Sequence, residues 1–317
     1  MTEQALPTAV GITAAVASID PVFLNSPLLM TNTANDSLGC QLYAKVETLN
    51  PIRCFKGRGA GWWMANLPED DMPIVSASAG NFGQGLAHAA ARKGRRLIIY
   101  AATSANPLKI SAMRRLGAEV VQTGGDFDAA KLAAQTFAEE NGFLFAEDGA
   151  ECHIAEGAGT IAKEITESLK SSQPLQALFV PLGNGALLTG TATWMRERMP
   201  ECRVIGVVAE AAPAMKLSWE QNTIVTTTTA PTMADGIAVR VPVPYALQSM
   251  RGIVDEVVAV EESAIEQAMH FCLINYGVVV EPSGAVGIAA LLRDPQRWKG
   301  HSVATILCGG NVVPQSA

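Results

Sequence analysis

The sequence predicts an α/β protein built on parallel sheets. Short apolar runs alternate with segments of helical spacing over most of its 317 residues. The runs are nearly continuous, as in strands covered on both faces, and not alternating as in half-exposed ones. Glycine stops close several of the helical segments, at Gly117, Gly142 and Gly277. With 49% hydrophobic and only 17% charged residues, the chain has the apolar material for a large core.

The elements follow in order. Residues 73–77 read as a strand, and 81–93 as a helix with Leu86, Ala89 and Ala90 on one face. Residues 97–101 are a buried strand, 107–116 a helix, 119–122 a strand, 127–141 a helix and 143–146 a strand. This β-α-β-α-β-α-β unit implies a parallel sheet. The alternation continues through a helix at 156–169, a strand at 177–181, a helix at 187–199 and a strand at 204–209. The Thr-rich stretch 223–231 reads as a surface loop. Helices at 262–276 and 283–292 and a buried strand at 303–307 complete the pattern. Two α/β lobes sharing a crevice are expected, with ligands at the carboxyl ends of the strands.

Composition excludes several functions. There are 23 basic and 30 acidic side chains, a net charge of −7, which argues against a nucleic-acid partner. No apolar run approaches the roughly 18–20 residues of a membrane span. Residues 1–11 lack the basic and apolar regions of a signal peptide, so a cytoplasmic protein is expected. The six cysteines form no C-x-x-C pair and read as reduced thiols, with neither a disulfide framework nor a zinc site.

Four turns carry the chemistry. The first runs from Asn50 to Gly61 and holds Phe55 and Lys56 ahead of Gly57, Gly59 and Gly61. A lysine in a partly apolar setting can act as a nucleophile or Schiff-base former, although this turn taken alone favours a solvated lysine at a helix start. The second, Ser76-Ala77-Ser78-Ala79-Gly80-Asn81-Phe82-Gly83, opens a helix whose free N–H groups suit an anion, or are merely capped by Ser78 or Asn81. The third, Pro181-Leu182-Gly183-Asn184-Gly185-Ala186-Leu187, follows a strand and opens a helix, as a phosphate cradle does. It is neither a Walker A loop nor an intact dinucleotide fingerprint. Glu210 at the next strand end nevertheless keeps a nicotinamide dehydrogenase open on this turn. The fourth, Leu307-Cys308-Gly309-Gly310-Asn311, ends the last strand. Cys308 has no base beside it in sequence and is not read as a nucleophile. The cluster Asp148, Glu151, Cys152 and His153 matches no standard metal spacing and reads as an acidic turn at a helix start.

Taken together, in this order and spacing, the four turns resemble the fold-type II family of pyridoxal-phosphate enzymes, above all its serine/threonine ammonia-lyases (threonine dehydratases) and serine racemase. The likeness runs from Ser26-Pro27-Leu28 to Asn311 and includes Ala234-Asp235-Gly236 and Glu281-Pro282-Ser283-Gly284-Ala285. It implies the tryptophan synthase β-like fold, with a large cofactor-binding domain from 1–68 and 149–317 and a small mobile domain at 69–148. It implies pyridoxal 5'-phosphate as cofactor, Lys56 as its Schiff-base lysine and catalytic base, and Phe55 beside it. Gly183, Asn184, Gly185, Ala186 and Leu187 become the phosphate loop. Asn81 bonds the ring hydroxyl, Gly236 and Glu281 line the ring's edge, and Cys308 faces the ring nitrogen. Ser78, Ala79, Gly80, Asn81 and Phe82 form the substrate clamp. The implied activity is β-elimination from a β-hydroxy amino acid such as L-threonine or L-serine, by a homodimer. Phenylserine, hydroxyaspartate and β- or γ-replacement are the alternatives within the family.

Three departures from the family pattern modify this. Ala79 stands where serine racemase carries a second catalytic serine, so efficient racemisation is not expected. Phe82 replaces a histidine, which removes a polar group and suits a bulkier side chain. Glu210 and Ala214 resemble part of a cation site, but Lys216 replaces its last acidic ligand, so metal-independent activity is expected. No extra basic residue is evident near the clamp, which argues against hydroxyaspartate. Little chain follows Asn311, so a C-terminal regulatory domain and feedback by isoleucine are not expected.

Overall fold

The computed structural model describes residues 5–169 and 174–312. Residues 1–4 and 313–317, on which the expectations about a leader and a further domain bear, lie outside them. Ten strands are assigned among the described residues: β1 (Leu28–Leu29), β2 (Gln41–Val46), β3 (Ile74–Ala77), β4 (Leu97–Ala101), β5 (Glu119–Gln122), β6 (Leu144–Ala146), β7 (Ala177–Pro181), β8 (Arg203–Ala209), β9 (Glu256–Val260) and β10 (Ser302–Leu307). They form two sheets, a six-stranded one ordered β1-β2-β10-β7-β8-β9 and a four-stranded one ordered β5-β4-β3-β6. Every pairing is parallel except β1 with β2. The four-stranded sheet is drawn wholly from residues 74–146, and the six-stranded sheet takes its strands from either side of that span.

The central strands β4, β7 and β10 are buried along their whole length, which is why they read as unbroken apolar runs. The edge strand β5 is mostly exposed and carries Glu119 and Gln122. Helices pack on both faces of each sheet and bury apolar stripes. One such helix, Cys152–Ser168, begins ahead of the expected residue 156. Ile154 in its first turn extends the buried stripe of Ala158, Ile161 and Ile165, although polar Glu151 and His153 stand beside it, and the cap residue Glu151 makes no side-chain capping bond.

The first seventy residues gave the fewest signals and hold elements that periodicity did not mark. The strand β2 pairs with β10 along its length, from Gln41–Ser302 to Val46–Leu307. The Lys56–Ala65 helix begins at the lysine of the first turn. That helix lies tightly against Asn81–Lys93, where a Cβ on Gly85 would sit 2.8 Å from the Lys56 carbonyl oxygen. The close approach fixes the backbone from which Lys56 projects.

Candidate active site

Sheet order brings the turns together. Strand β10 lies between β2 and β7, so the segments leaving those three strands are neighbours at their carboxyl ends. They carry Lys56, the Gly183–Leu187 stretch and Cys308. A bridge between Cys54 and Gly309 ties the first turn to the fourth. The second turn leaves β3 of the other sheet and faces them across a cavity of about 400 Å³. Phe55, Lys56, Ser78, Ala79, Gly80, Asn81, Phe82, Gly183, Asn184, Gly185, Ala186, Leu187, Gly236, Glu281 and Cys308 all line it.

Lys56 is at a helix start, but it is not a solvated lysine. Its side chain is 15% exposed, and its Nζ lies 2.5 Å from Asp148 Oδ2. The amine also sits over the rings of Phe55 and Phe82, 4.7 and 5.7 Å from their centroids. Asp148 is a site residue that the sequence reading assigned to a capping turn. The signal was its place in an acidic cluster, but only the fold shows which member faces the cavity.

At the second turn Ser78 caps the helix, with its Oγ accepting from Gly83 N at 2.9 Å and Gly80 N at 3.2 Å. The side chain of Asn81 turns away from the backbone. It donates from Nδ2 to Glu281 Oε1 at 2.6 Å and accepts at Oδ1 from Asn311 Nδ2 at 2.8 Å. Glu281 is almost fully enclosed. Burial raises its pKa to about 7, in spite of Lys109 nearby and the hydrogen bond from Asn81, which favour the charged form.

One sequence expectation is corrected here. A basic residue does stand by the clamp: Lys109 is buried, and a Cβ on Gly80 would lie 3.6 Å from its Nζ. It comes from the Pro107–Arg115 helix of the smaller sheet's lobe and is ion-paired with Asp235 from the other lobe. Sequence could not place it, because the two residues are 126 positions apart. Lys131 with Glu147 and Arg240 with Asp126 and Asp128 complete the ion pairs around the cavity. Away from the cavity, Lys216 of the cation-site expectation pairs with Glu220, one turn along its own helix.

The Gly183–Leu187 stretch opens the Ala186–Arg198 helix. Its cap residue Gly185 has φ +98°, a left-handed conformation open to glycine, and no side chain caps the helix. Its first N–H groups therefore face the cavity free to bind an anion. Ser283, beside Gly236 in the same cavity wall, has its Oγ buried without a hydrogen-bond partner among the described residues. Cys308 is buried, with its Sγ 3.7 Å from the Ser283 carbonyl oxygen, and burial pushes its thiol well above the usual range. An uncapped helix start for a phosphate, a lysine amine for an aldehyde, an unpartnered hydroxyl and a neutral thiol for a ring fit pyridoxal phosphate.

This fold and site define a pyridoxal-phosphate dependent enzyme. Residues 19–309 match the model of that family, and the chain belongs to it. The chain is 37% identical to the L-threonine ammonia-lyase of Geobacter sulfurreducens, over 90% of its own length and 71% of that protein. It is 32% identical to the L-threo-3-hydroxyaspartate ammonia-lyase of Saccharomyces cerevisiae, over 90% and 88%. Among solved structures, the processed form of threonine deaminase isoform 2 from Solanum lycopersicum superposes with a TM-score of 0.88 at 30% identity, covering 98% of this chain and 88% of that one.

Proposed function

We propose that the cavity carries out β-elimination on a small β-hydroxy amino acid, with L-threonine or L-serine as first choice, releasing a 2-keto acid and ammonia. The observation that carries this is the convergence of an amine, an uncapped helix start and a serine-capped turn on one cavity, in a chain similar throughout to ammonia-lyases.

When bound, pyridoxal phosphate supplies an electron sink that makes the substrate's α-proton removable. The Gly183–Leu187 backbone and the start of the following helix would hold its phosphate. Asn81, Gly236, Ser283 and Cys308 would border its ring, and Lys56 would carry it covalently. Opposite the ring nitrogen Cys308 would present an un-ionised thiol, which withdraws less charge into the ring than an acid would and so favours elimination. The backbone at Ser78–Phe82 would receive the substrate carboxylate at the start of the Asn81–Lys93 helix. The amine of Lys56 removes the α-proton. The C–H electron pair drives out the β-hydroxyl, which leaves as water on taking up a proton. The released enamine tautomerises and hydrolyses, giving keto acid and ammonium.

For the side chain, Phe82 offers an apolar wall and is buried against the cavity. A β-aryl serine is therefore the second reading. The Lys109 cation is already held by Asp235, so a second carboxylate finds no free cation beside the clamp. The enzyme would act as a cytoplasmic homodimer without need of a metal. The homodimer rests on the resemblance, the cytoplasmic setting on cysteines that read as reduced thiols, and the metal independence on Lys216 standing in place of an acidic ligand; sedimentation, cell fractionation and chelator treatment check them.

The test is keto-acid release from serine, threonine, hydroxyaspartate and phenylserine in both enantiomers, on protein as purified. It should be yellow, lose its colour to borohydride, and then carry the reduced cofactor on the Lys56 peptide. Turnover of L-threonine or L-serine is expected to lead the panel. A colourless protein inert to the whole panel would falsify the reading.

A further inference from the structure

The ion pairs around the cavity differ in one respect. Lys109 with Asp235, Lys131 with Glu147, and Arg240 with Asp128 join residues with no proposed part in the chemistry. Asp148 alone pairs with the amine that the proposed reaction uses, Oδ2 to Nζ at 2.5 Å. Its other oxygen, Oδ1, is buried and has no hydrogen-bond partner. A carboxylate kept only for structure is ordinarily satisfied at both oxygens, because an unpartnered buried acceptor is destabilising. Asp148 instead commits one oxygen to Lys56 and leaves the other buried without a donor among the described residues, so that its one directional contact is the amine.

The rest of the amine's surroundings make this contact decisive. Phe55 and Phe82 present ring faces, which attract a cation but give it no fixed direction. A charged hydrogen bond to a carboxylate is directional and short. The buried groups Glu281 and Cys308 also border the cavity. Glu281 is engaged by Asn81 and Asn311, and Cys308 is directed at the Ser283 carbonyl. Asp148 is therefore the one carboxylate in contact with the Lys56 amine among the described residues.

We propose that Asp148 is the positioning residue for Lys56, holding the freed amine at the α-carbon and accepting a hydrogen bond from the ammonium it becomes. In that step the Cα–H bond breaks, an N–H bond forms on Nζ, and the C–H electron pair drives out the β-hydroxyl, which leaves as water on taking up a proton. The charge left on nitrogen is met by the Asp148 carboxylate. This role rests on the proposed function, because it assigns to Lys56 the work of a base.

Two measurements decide it, and the first does not depend on the reaction. A water-soluble carbodiimide joins a carboxylate to an amine only when the two touch. Applied to cofactor-stripped protein, it should link Lys56 to Asp148 with loss of one water, read by peptide mass mapping. Cofactor bound to Lys56 before treatment should prevent the link, and Asp148→Asn should not form it. Absence of the link in the stripped wild type overturns the proposal.

The second measurement is kinetic, on whichever panel substrate turns over. Asp148→Asn should lower kcat by about 10²-fold, the scale of a misplaced reacting group, and leave KM within about threefold. The kinetic isotope effect with α-deuterated substrate should rise, and Asp148→Glu should restore part of kcat. A kcat within about twofold of wild type in folded, cofactor-loaded Asp148→Asn overturns the proposal, since a misplaced base costs far more. Failure of the whole panel strikes the proposed function instead, and the cross-link still reports on the pair.

Discussion

Lys56 and Arg58 stand two residues apart on one helix, and their surroundings have nothing in common. Arg58 is fully enclosed. Its Nε and Nη2 donate to the two oxygens of Glu47, both at 2.9 Å, and its Nη1 donates to Glu164 Oε1 at 2.7 Å and Thr160 at 3.0 Å. Lys45, equally buried, donates to the other oxygen of Glu164 at 2.6 Å. Burial disfavours the charge on Arg58, but Glu47 and Glu164 outweigh it and keep the guanidinium protonated. Lys56 has one carboxylate, two aromatic faces and an opening to the cavity. The lesson is that a buried cation with every donor used is architecture, whereas one with a single replaceable partner is available for chemistry.

The comparison predicts opposite phenotypes from neighbouring substitutions. Lys56→Ala should show the largest effect on activity. It removes the proposed base and the anchor together, so keto-acid release should fall by at least roughly 10²–10⁴-fold. Its melting temperature should fall less than that of Arg58→Met, because it gives up one carboxylate partner and two ring contacts at the cavity wall and not a fully enclosed network. Retained turnover would break the assignment. Arg58→Met should do the reverse, leaving Glu47 buried without a cation and Glu164 with Lys45 as its remaining one. Breaking one side of such a network costs about 3–5 kcal/mol, read by urea unfolding, while activity per folded molecule persists. If Arg58→Met unfolded at the wild-type midpoint, the buried cluster would not be the architecture argued here.

The same contrast explains what the sequence could and could not show. The strands β4, β7, β8 and β10 and the helices Asn81–Lys93 and Glu262–Tyr276 were legible because burial on one or both faces writes a local period. The glycine-bearing turns were legible because close approach and left-handed backbone call for glycine, as at Gly185. The ion pairs were not legible. Lys56 and Asp148 are 92 residues apart and Arg58 and Glu164 are 106 apart, and charge carries no period that links them. Nor did β2 announce itself, because its run holds Tyr43 and Lys45. The latter is buried because its amine donates to Glu164 and to the Ser26 carbonyl.

Glu281 sharpens the contrast from the acid side. Unlike Glu47 and Glu164 it has no cation in contact among the described residues, and burial holds its pKa up near 7 against a reference of 4.5. A raised carboxyl pKa means that folding favours the protonated form. Its contribution to stability is therefore complete below pH 4.5 and is lost as pH rises through about 7. Relative to Glu281→Gln, which cannot ionise, the wild type should lose up to about 3 kcal/mol across that window. Parallel stability curves for the two proteins between those limits would show that Glu281 stays charged.

Arg240 supplies the smallest and most discriminating test. It pairs with Asp126 and Asp128 at the start of the Phe127–Asn141 helix and so joins the two lobes at the rim of the cavity. Unlike Arg58, it is partly exposed, with 32% of its side chain in contact with solvent. An exposed pair is worth about 0–1 kcal/mol and is screened by salt. Arg240→Gln should therefore leave the melting temperature almost unchanged. If the pair helps hold the lobes together over bound substrate, the substitution should raise KM a few-fold at low salt and leave kcat intact. Raising the ionic strength should bring the wild type towards the variant and leave the variant where it was. A KM that differs equally at low and high salt would mean that Arg240 touches the substrate itself. It would then belong with Lys56 on the chemical side of the comparison, and not with the charges that only hold the fold.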